Sequence, residues 1–350
     1  PSATWLALLA QIAFLAVGIL AANSGRRGRM MILQAIAYGG ALVAAIGLLH
    51  WALEADRIYG VYASRDAPKL QGYFSTFVNN NALAGYLCLA TLTALGLVAK
   101  SDDEGGQKRA LLAGALCMAG VMLSGSRGGQ VALFVGLLFF AGLAHAPVKL
   151  AESPRRRARS VANVALLLGA LAFAAALMVL PDWGATRITE LGGEDKFQAL
   201  GATLPYLEDF WLTGSGRGTF RHVYPHYQEL LLSGTVSHPE NVLIQFTTEW
   251  GVPVGLLVIG FAVLAWLHAV TGLGREPHPT HWGLCAGLLA VAVQQFVDFG
   301  LEAAGLALPV AAAFGLILAN SKRRLGPGGE PHPRVALATL LGGLAAGCLL

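Results

Sequence analysis

Ten long apolar stretches run through this chain, at about residues 3–22, 31–53, 82–99, 110–123, 130–146, 161–180, 251–270, 281–299, 303–320 and 335–350. They leave few folds open. A bilayer core of about 30 Å takes about 20 mostly apolar residues per crossing helix, and each stretch meets or approaches that length. Lipid offers backbone N–H and C=O groups no partners, so the stretches are expected as helices, which satisfy those groups internally. Composition supports this, with 55% hydrophobic and 13% charged residues where a soluble domain carries about a quarter charged. The expected fold is an all-α integral membrane protein of about ten transmembrane helices. Residues 1–180 would hold helices one to six, 181–250 a large extracytoplasmic loop with the site, and 251–350 helices seven to ten.

Charge sets the expected orientation, because Lys and Arg collect in short cytoplasmic loops. Every second connection is basic. Arg26, Arg27 and Arg29 form the first group; Lys100, Lys108 and Arg109 the second; Lys149, Arg155, Arg156, Arg157 and Arg159 the third. Arg275 and then Lys322, Arg323, Arg324 and Arg334 complete 16 of the 24 basic residues. The net charge of +4 therefore reports topology, and nucleic acid is not an expected partner. No charged n-region with a cleavage site precedes segment 3–22, so it reads as a span and not as a signal peptide. With no initiator Met and a last apolar run that does not end in a loop, the sequence is expected to be part of a longer chain. Cys88, Cys117, Cys285 and Cys348 all lie in apolar stretches without paired spacing, which suits helix packing better than disulfides or a metal site.

The two long connections on the other face, about 54–81 and 181–250, are where function is expected. The larger holds Trp183, Arg187, Gly214-Ser215-Gly216-Arg217-Gly218, then Arg221, His222, Tyr224, His226 and Tyr227, and later His238-Pro239-Glu240-Asn241. An arginine fork binds phosphate oxygens two at a time and stays charged. Arg127, Arg187, Arg217 and Arg221 are thus the candidates for a lipid-linked diphosphate. Arg217 stands out because flanking glycines could leave backbone N–H groups free to cradle an anion, although a glycine run also makes a plain flexible turn. Arg127, in the short turn Ser124–Gly129, either faces a polar cavity or snorkels to the interface. His238 has the ordinary titration range of a general base and could equally be a hydrogen-bonded loop histidine. Glu240 offers a second base or a partner for the imidazole, and Asn241 a helix cap. His222 and His226 share the i, i+4 spacing of metal ligands, but no third ligand accompanies them and no metal is expected. Asp298 and Glu302 either serve a polar cavity or mark the water interface.

Four pieces of sequence carry a family resemblance. They are Phe77-Val78-Asn79-Asn80-Asn81, Ser126-Arg127-Gly128, Gly214 through Phe220, and His238-Pro239-Glu240-Asn241 continuing to Glu249 and Gly251, with Asp298-Phe299 as a weaker fifth. In order and topology they resemble the O-antigen ligase and polymerase superfamily, the Wzy/WaaL-like membrane glycosyltransferases, which include bacterial protein O-oligosaccharyltransferases. The resemblance implies a GT-C-like fold in the bacterial inner membrane with the site facing the periplasm. It implies metal-independent transfer of a glycan from an undecaprenyl-diphosphate carrier to an acceptor hydroxyl on lipid A core, a growing glycan or a protein, with no cofactor. By position, Arg127 and Arg217 would bind the diphosphate and His238 would act as general base. Asn81, Tyr224 and Asn241 would contact glycan or acceptor. The family's usual histidine-proline-histidine-asparagine reads His-Pro-Glu-Asn here, which leaves both His238 and Glu240 as candidates for the base. A polysaccharide transporter or flippase is the reading from another class. It requires charges deep within the spans, and these spans are almost free of them.

Overall fold

The computed structural model describes residues 2–62, 73–145, 152–179, 193–227, 238–239, 241–271 and 278–322. Regular structure among them is helical, and an isolated bridge between Ile58 and Tyr62 is the one extended pairing. The helices are α1 (Ser2–Asn23), α2 (Arg26–Ala52), α3 (Asn80–Lys100), α4 (Glu104–Leu123), α5 (Arg127–His145) and α6 (Glu152–Val179). They continue with α7 (Gly193–Phe210), α8 (Val242–Trp250), α9 (Val252–Thr271), α10 (Pro279–Gln294) and α11 (Ala304–Lys322). Nine of the ten expected stretches coincide with α1 to α6 and α9 to α11, and the stretch 335–350 lies outside the described residues. Four helices, α2, α3, α5 and α9, are long and apolar enough to cross a membrane; α1 and α11 contain shorter apolar segments.

The bundle is organised around α3. Every residue from Ala82 to Ala99 is buried, as a helix that is apolar all round must be, and α2, α4, α5 and α10 pack against it. Local chemistry sets where it starts. The Asn79 side chain accepts the Asn81 and Ala82 N–H groups at 2.7 and 3.2 Å, satisfying two orphan donors of the first turn. Small residues permit the close approach of neighbours. A Cβ on Gly283 of α10 would lie 2.3 Å from the Leu92 carbonyl oxygen of α3, and one on Gly315 of α11 would lie 2.1 Å from the Gly18 oxygen of α1. The perimeter is apolar instead of polar: Leu42 of α2, Leu167 of α6 and Leu256, Leu257 and Leu264 of α9 are all more than half exposed. Contiguous exposed hydrophobic side chains of this kind suit lipid, not water.

The two ends of the bundle differ. At one end, Arg157 bonds the Ser101 carbonyl and lies 3.3 Å from Asp102. Here too His278 sits near Lys100 and Arg26; burial first, and those cations second, push it down to about 4. At the other end lie the starts of α3, α5 and α11 and the end of α10. If close helix contact at α3 and α10 holds the bundle, Gly283→Ala should lower the detergent melting temperature by several degrees, about 1–3 kcal/mol of overpacking. Gly142→Ala, which meets nothing within 4 Å, should not. Equal melting of both variants would argue against this packing.

Candidate functional site

The glycine run is built onto the end of α8. Gly214, Gly216 and Gly218 have φ of +67°, +107° and +74°, and Gly251 has +80°, the left-handed region in which side chains other than glycine are strained. This turns the chain so that Ser215 N–H donates to the Thr248 oxygen at 3.0 Å and Gly216 N–H to the Glu249 oxygen at 2.9 Å. Two orphan carbonyls of the last α8 turn are thereby satisfied. Gly214 N–H donates to Phe210 at 2.8 Å. The expectation that these N–H groups stay free for an anion is therefore corrected: three of them are occupied by backbone carbonyls.

The same turn aims Arg217 inward. Its side chain is 8% exposed; Nη1 donates to Glu249 at 2.6 Å and Nη2 to Glu302. The guanidinium also lies over the Phe246 and Trp250 rings, 5.7 and 5.9 Å from their centroids. Burial acts to lower its pKa, but the carboxylates of Glu302 and Glu249 outweigh burial and hold it above the ordinary arginine value. Both prongs of the fork expected to grip a diphosphate thus grip carboxylates. Glu249 uses its other oxygen to accept the Phe220 N–H at 3.2 Å. Two carboxylates around one guanidinium leave this cluster with a formal charge of −1.

His238 lies beside it. Its ring stacks on Phe299 at 4.6 Å between centroids, and its Nδ1 is 3.1 Å from the Gln245 side-chain nitrogen. That nitrogen also donates to Glu302 at 3.1 Å. Burial lowers the His238 pKa from its ordinary 6.5; Glu302 and Glu249 oppose the shift, and Arg217 and Arg221 reinforce it. Asn241 caps α8 by accepting from Leu243 and Ile244 N–H at 2.9 and 3.2 Å, and its amide donates to the Phe296 oxygen at 2.8 Å. The segment after α10 is therefore the platform on which His238 and the start of α8 both rest.

Other expected residues fall differently. Arg127 and Arg221 are exposed, and Arg221 donates to His222 at 3.1 Å. Tyr224 is fully buried and stacked on Phe220, in a small aromatic core with Tyr206; packing of the loop, and not glycan contact, is what its ring does. Asn81 contributes its carbonyl, which accepts from Gln294 at 2.7 Å. Arg187 and Glu240 lie outside the described residues. Sequence reasoning gave no role to Gln245, and gave Glu249 and Phe299 none beyond the resemblance. The available signal was Gln245 and Glu249 at i, i+4 spacing in the apolar stretch 242–250, since two polar residues one helical turn apart share a face.

Next to the polar cluster lies an apolar cavity of about 300 Å³ between α8, α9, α10 and α11, lined by Val242, Leu243, Ile259, Trp266, Phe296 and Phe314 among others. Val242 and Phe296 tie it directly to the Asn241 end of the site. Residues 112–259 match the Wzy_C family, O-antigen ligase, a span that takes in Arg127, Arg217, His238 and Glu249. No curated protein matches the chain.

Because the folded pKa of His238 lies below 6.5, the imidazole is more than half neutral at a pH where a free one is half protonated. A reaction that needs neutral His238 should then keep an acid limb below pH 6.5 in a pH–rate profile. A limb at or above 6.5 that disappears in His238→Ala would contradict the burial described.

Proposed function

We propose that this chain, which carries an O-antigen ligase domain in a helical membrane protein, transfers an undecaprenyl-diphosphate-linked glycan to an acceptor hydroxyl. In this reading the chain crosses the bacterial inner membrane about ten times in a GT-C-like arrangement. The basic end of the bundle faces the cytoplasm, and the end that holds His238 faces the periplasm. The observation that carries it is the position of the buried polar cluster, which joins matched-domain residues to Glu302, beside an apolar cavity, the pairing needed by a substrate with a polar reacting head and a hydrocarbon tail. The cavity receives part of the prenyl chain. The exposed arginines Arg127 and Arg221, with Arg187 from the large loop, meet the diphosphate, and His238, with Glu240 next to it in sequence, stands at the reacting centre.

The chemistry asks little beyond alignment and charge stabilisation. The acceptor oxygen bonds the anomeric carbon as the bond from that carbon to the diphosphate oxygen breaks. The electron pair goes to the diphosphate, which is already a good leaving group. Arg217 serves by holding Glu249 and Glu302, so its work is to fix the loop on α8 and the segment after α10.

Purified protein given the lipid-diphosphate oligosaccharide should transfer glycan, and His238→Ala should lose at least about 100-fold, the usual scale of one acid–base group. Dependence on a lipid A core acceptor would indicate ligation, elongation without it polymerisation, and transfer to a protein O-glycosylation. No transfer to any of the three would overturn the reading. Arg217→Lys keeps the charge but not the fork that spans two carboxylates, so it should lose activity about tenfold or more; turnover near the parent's would remove the bridging role. A cysteine replacing Thr213 should label from the periplasm and one replacing Arg156 should not, and the reverse pattern would invert the topology.

A further inference from the structure

The orientation of one amide determines which nitrogen of His238 carries the ring proton. Glu302 Oε1 can only accept hydrogen bonds, and the Gln245 side chain approaches it at 3.1 Å, so the group turned toward Glu302 must be the NH₂. The reversed amide would set oxygen against carboxylate. The same nitrogen lies 3.1 Å from His238 Nδ1 and has two hydrogens, one for each partner. Gln245 is fully buried and its oxygen has no hydrogen-bond partner, so the two contacts on the nitrogen side are what hold the amide. Glu302 is itself held by Arg217 Nη2, which completes a chain of contacts from Arg217 through Glu302 and Gln245 to His238.

We infer that Gln245 is a positioning residue that occupies the Nδ1 lone pair of His238 and so places the ring proton on Nε2. This rests on the proposed transfer only for its consequence. A neutral imidazole with Nδ1 accepting presents an N–H, not a lone pair, at Nε2. His238 then acts in this state as a hydrogen-bond donor to oxygen, not as the base that its position in the sequence suggests. In the proposed reaction, Nε2–H donates to the diphosphate oxygen as that oxygen takes the electron pair from the anomeric carbon. The acceptor hydroxyl's proton ends on the released lipid diphosphate, so that hydroxyl plus lipid-linked glycan give glycoside plus protonated lipid diphosphate. Gln245 acts through His238 and does not touch the reacting atoms.

The test is ¹⁵N NMR of histidine-labelled full-length protein in nanodiscs at pH 8, with the His238 signals identified as those lost in His238→Ala. The expected spectrum has a protonated Nε2 and an unprotonated Nδ1. Gln245→Leu removes the donor to Nδ1 without setting a second carboxylate against Glu302, so the two tautomers should mix and the two nitrogen shifts should move toward each other. A parent spectrum with protonated Nδ1, or unchanged shifts in folded Gln245→Leu, would overturn the inference, and the parent spectrum alone can do so if the variant does not fold. The readout needs no substrate, so absence of glycan transfer would sink the proposed function and leave the tautomer assignment standing.

Discussion

The buried bridge from Arg217 to Glu249 and Glu302 is the contact on which the rest of the site depends. Glu249 ends α8, Arg217 belongs to the glycine turn, and Glu302 follows α10, so one guanidinium fastens three segments far apart in the chain. Burying charge is costly, and an ion pair repays that cost only when its geometry is good; removing one partner of a buried pair costs about 3–5 kcal/mol. Here the fork geometry, the Phe220 N–H on Glu249 and the aromatic rings around the guanidinium supply the compensation. The glycine conformations follow from the same requirement, because the turn must hug the last carbonyls of α8 to bring Arg217 within reach of Glu249.

Much of this fold can be read from the chain, because a bilayer-length apolar stretch has one economical structure. Asn241 as a helix cap was also legible, since capping is local and needs only a side-chain oxygen two or three residues before the N–H groups it accepts. Arg217 stood out in the sequence, but its partners did not. Glu249 and Glu302 lie 32 and 85 residues away, and no local pattern reports which carboxylate an arginine will meet. Tyr224 differs for a related reason: an aromatic with a polar tip in a loop reads as a contact for sugar, whereas here it is buried in a small core with Tyr206 and Phe220. The short helix α8 has its start marked by the Asn241 cap. Its separation from α9 depends on Gly251, whose left-handed φ lets Val252 N–H reach the Trp211 oxygen at 2.7 Å.

Electrostatics divide the work among the arginines. With its single positive charge set between two carboxylates, Arg217 has both Nη groups engaged and offers no open fork to an anionic head group. In the proposed reaction the lipid diphosphate meets the exposed Arg127 and Arg221 instead. The sequence offered all three as diphosphate ligands with Arg217 foremost; burial and pairing separate them into one that holds the scaffold and two that are exposed.

That division also explains why a histidine beside two carboxylates is not simply a stronger base. Nearby negative charge favours the imidazolium, but burial opposes it and prevails. The Gln245 NH₂ acts in the same direction as burial, because a protonated ring would set Nδ1–H against another donor. Glu302 therefore has two opposed effects on His238: its charge favours protonation through space, and its hydrogen bond to Gln245 disfavours protonation through the amide. At 3.1 Å contacts the directional effect depends on which atoms meet, while the through-space effect is shared with Arg217, which already neutralises part of it. A neutral ring with its N–H at Nε2 is the state that satisfies both neighbours of the Gln245 nitrogen.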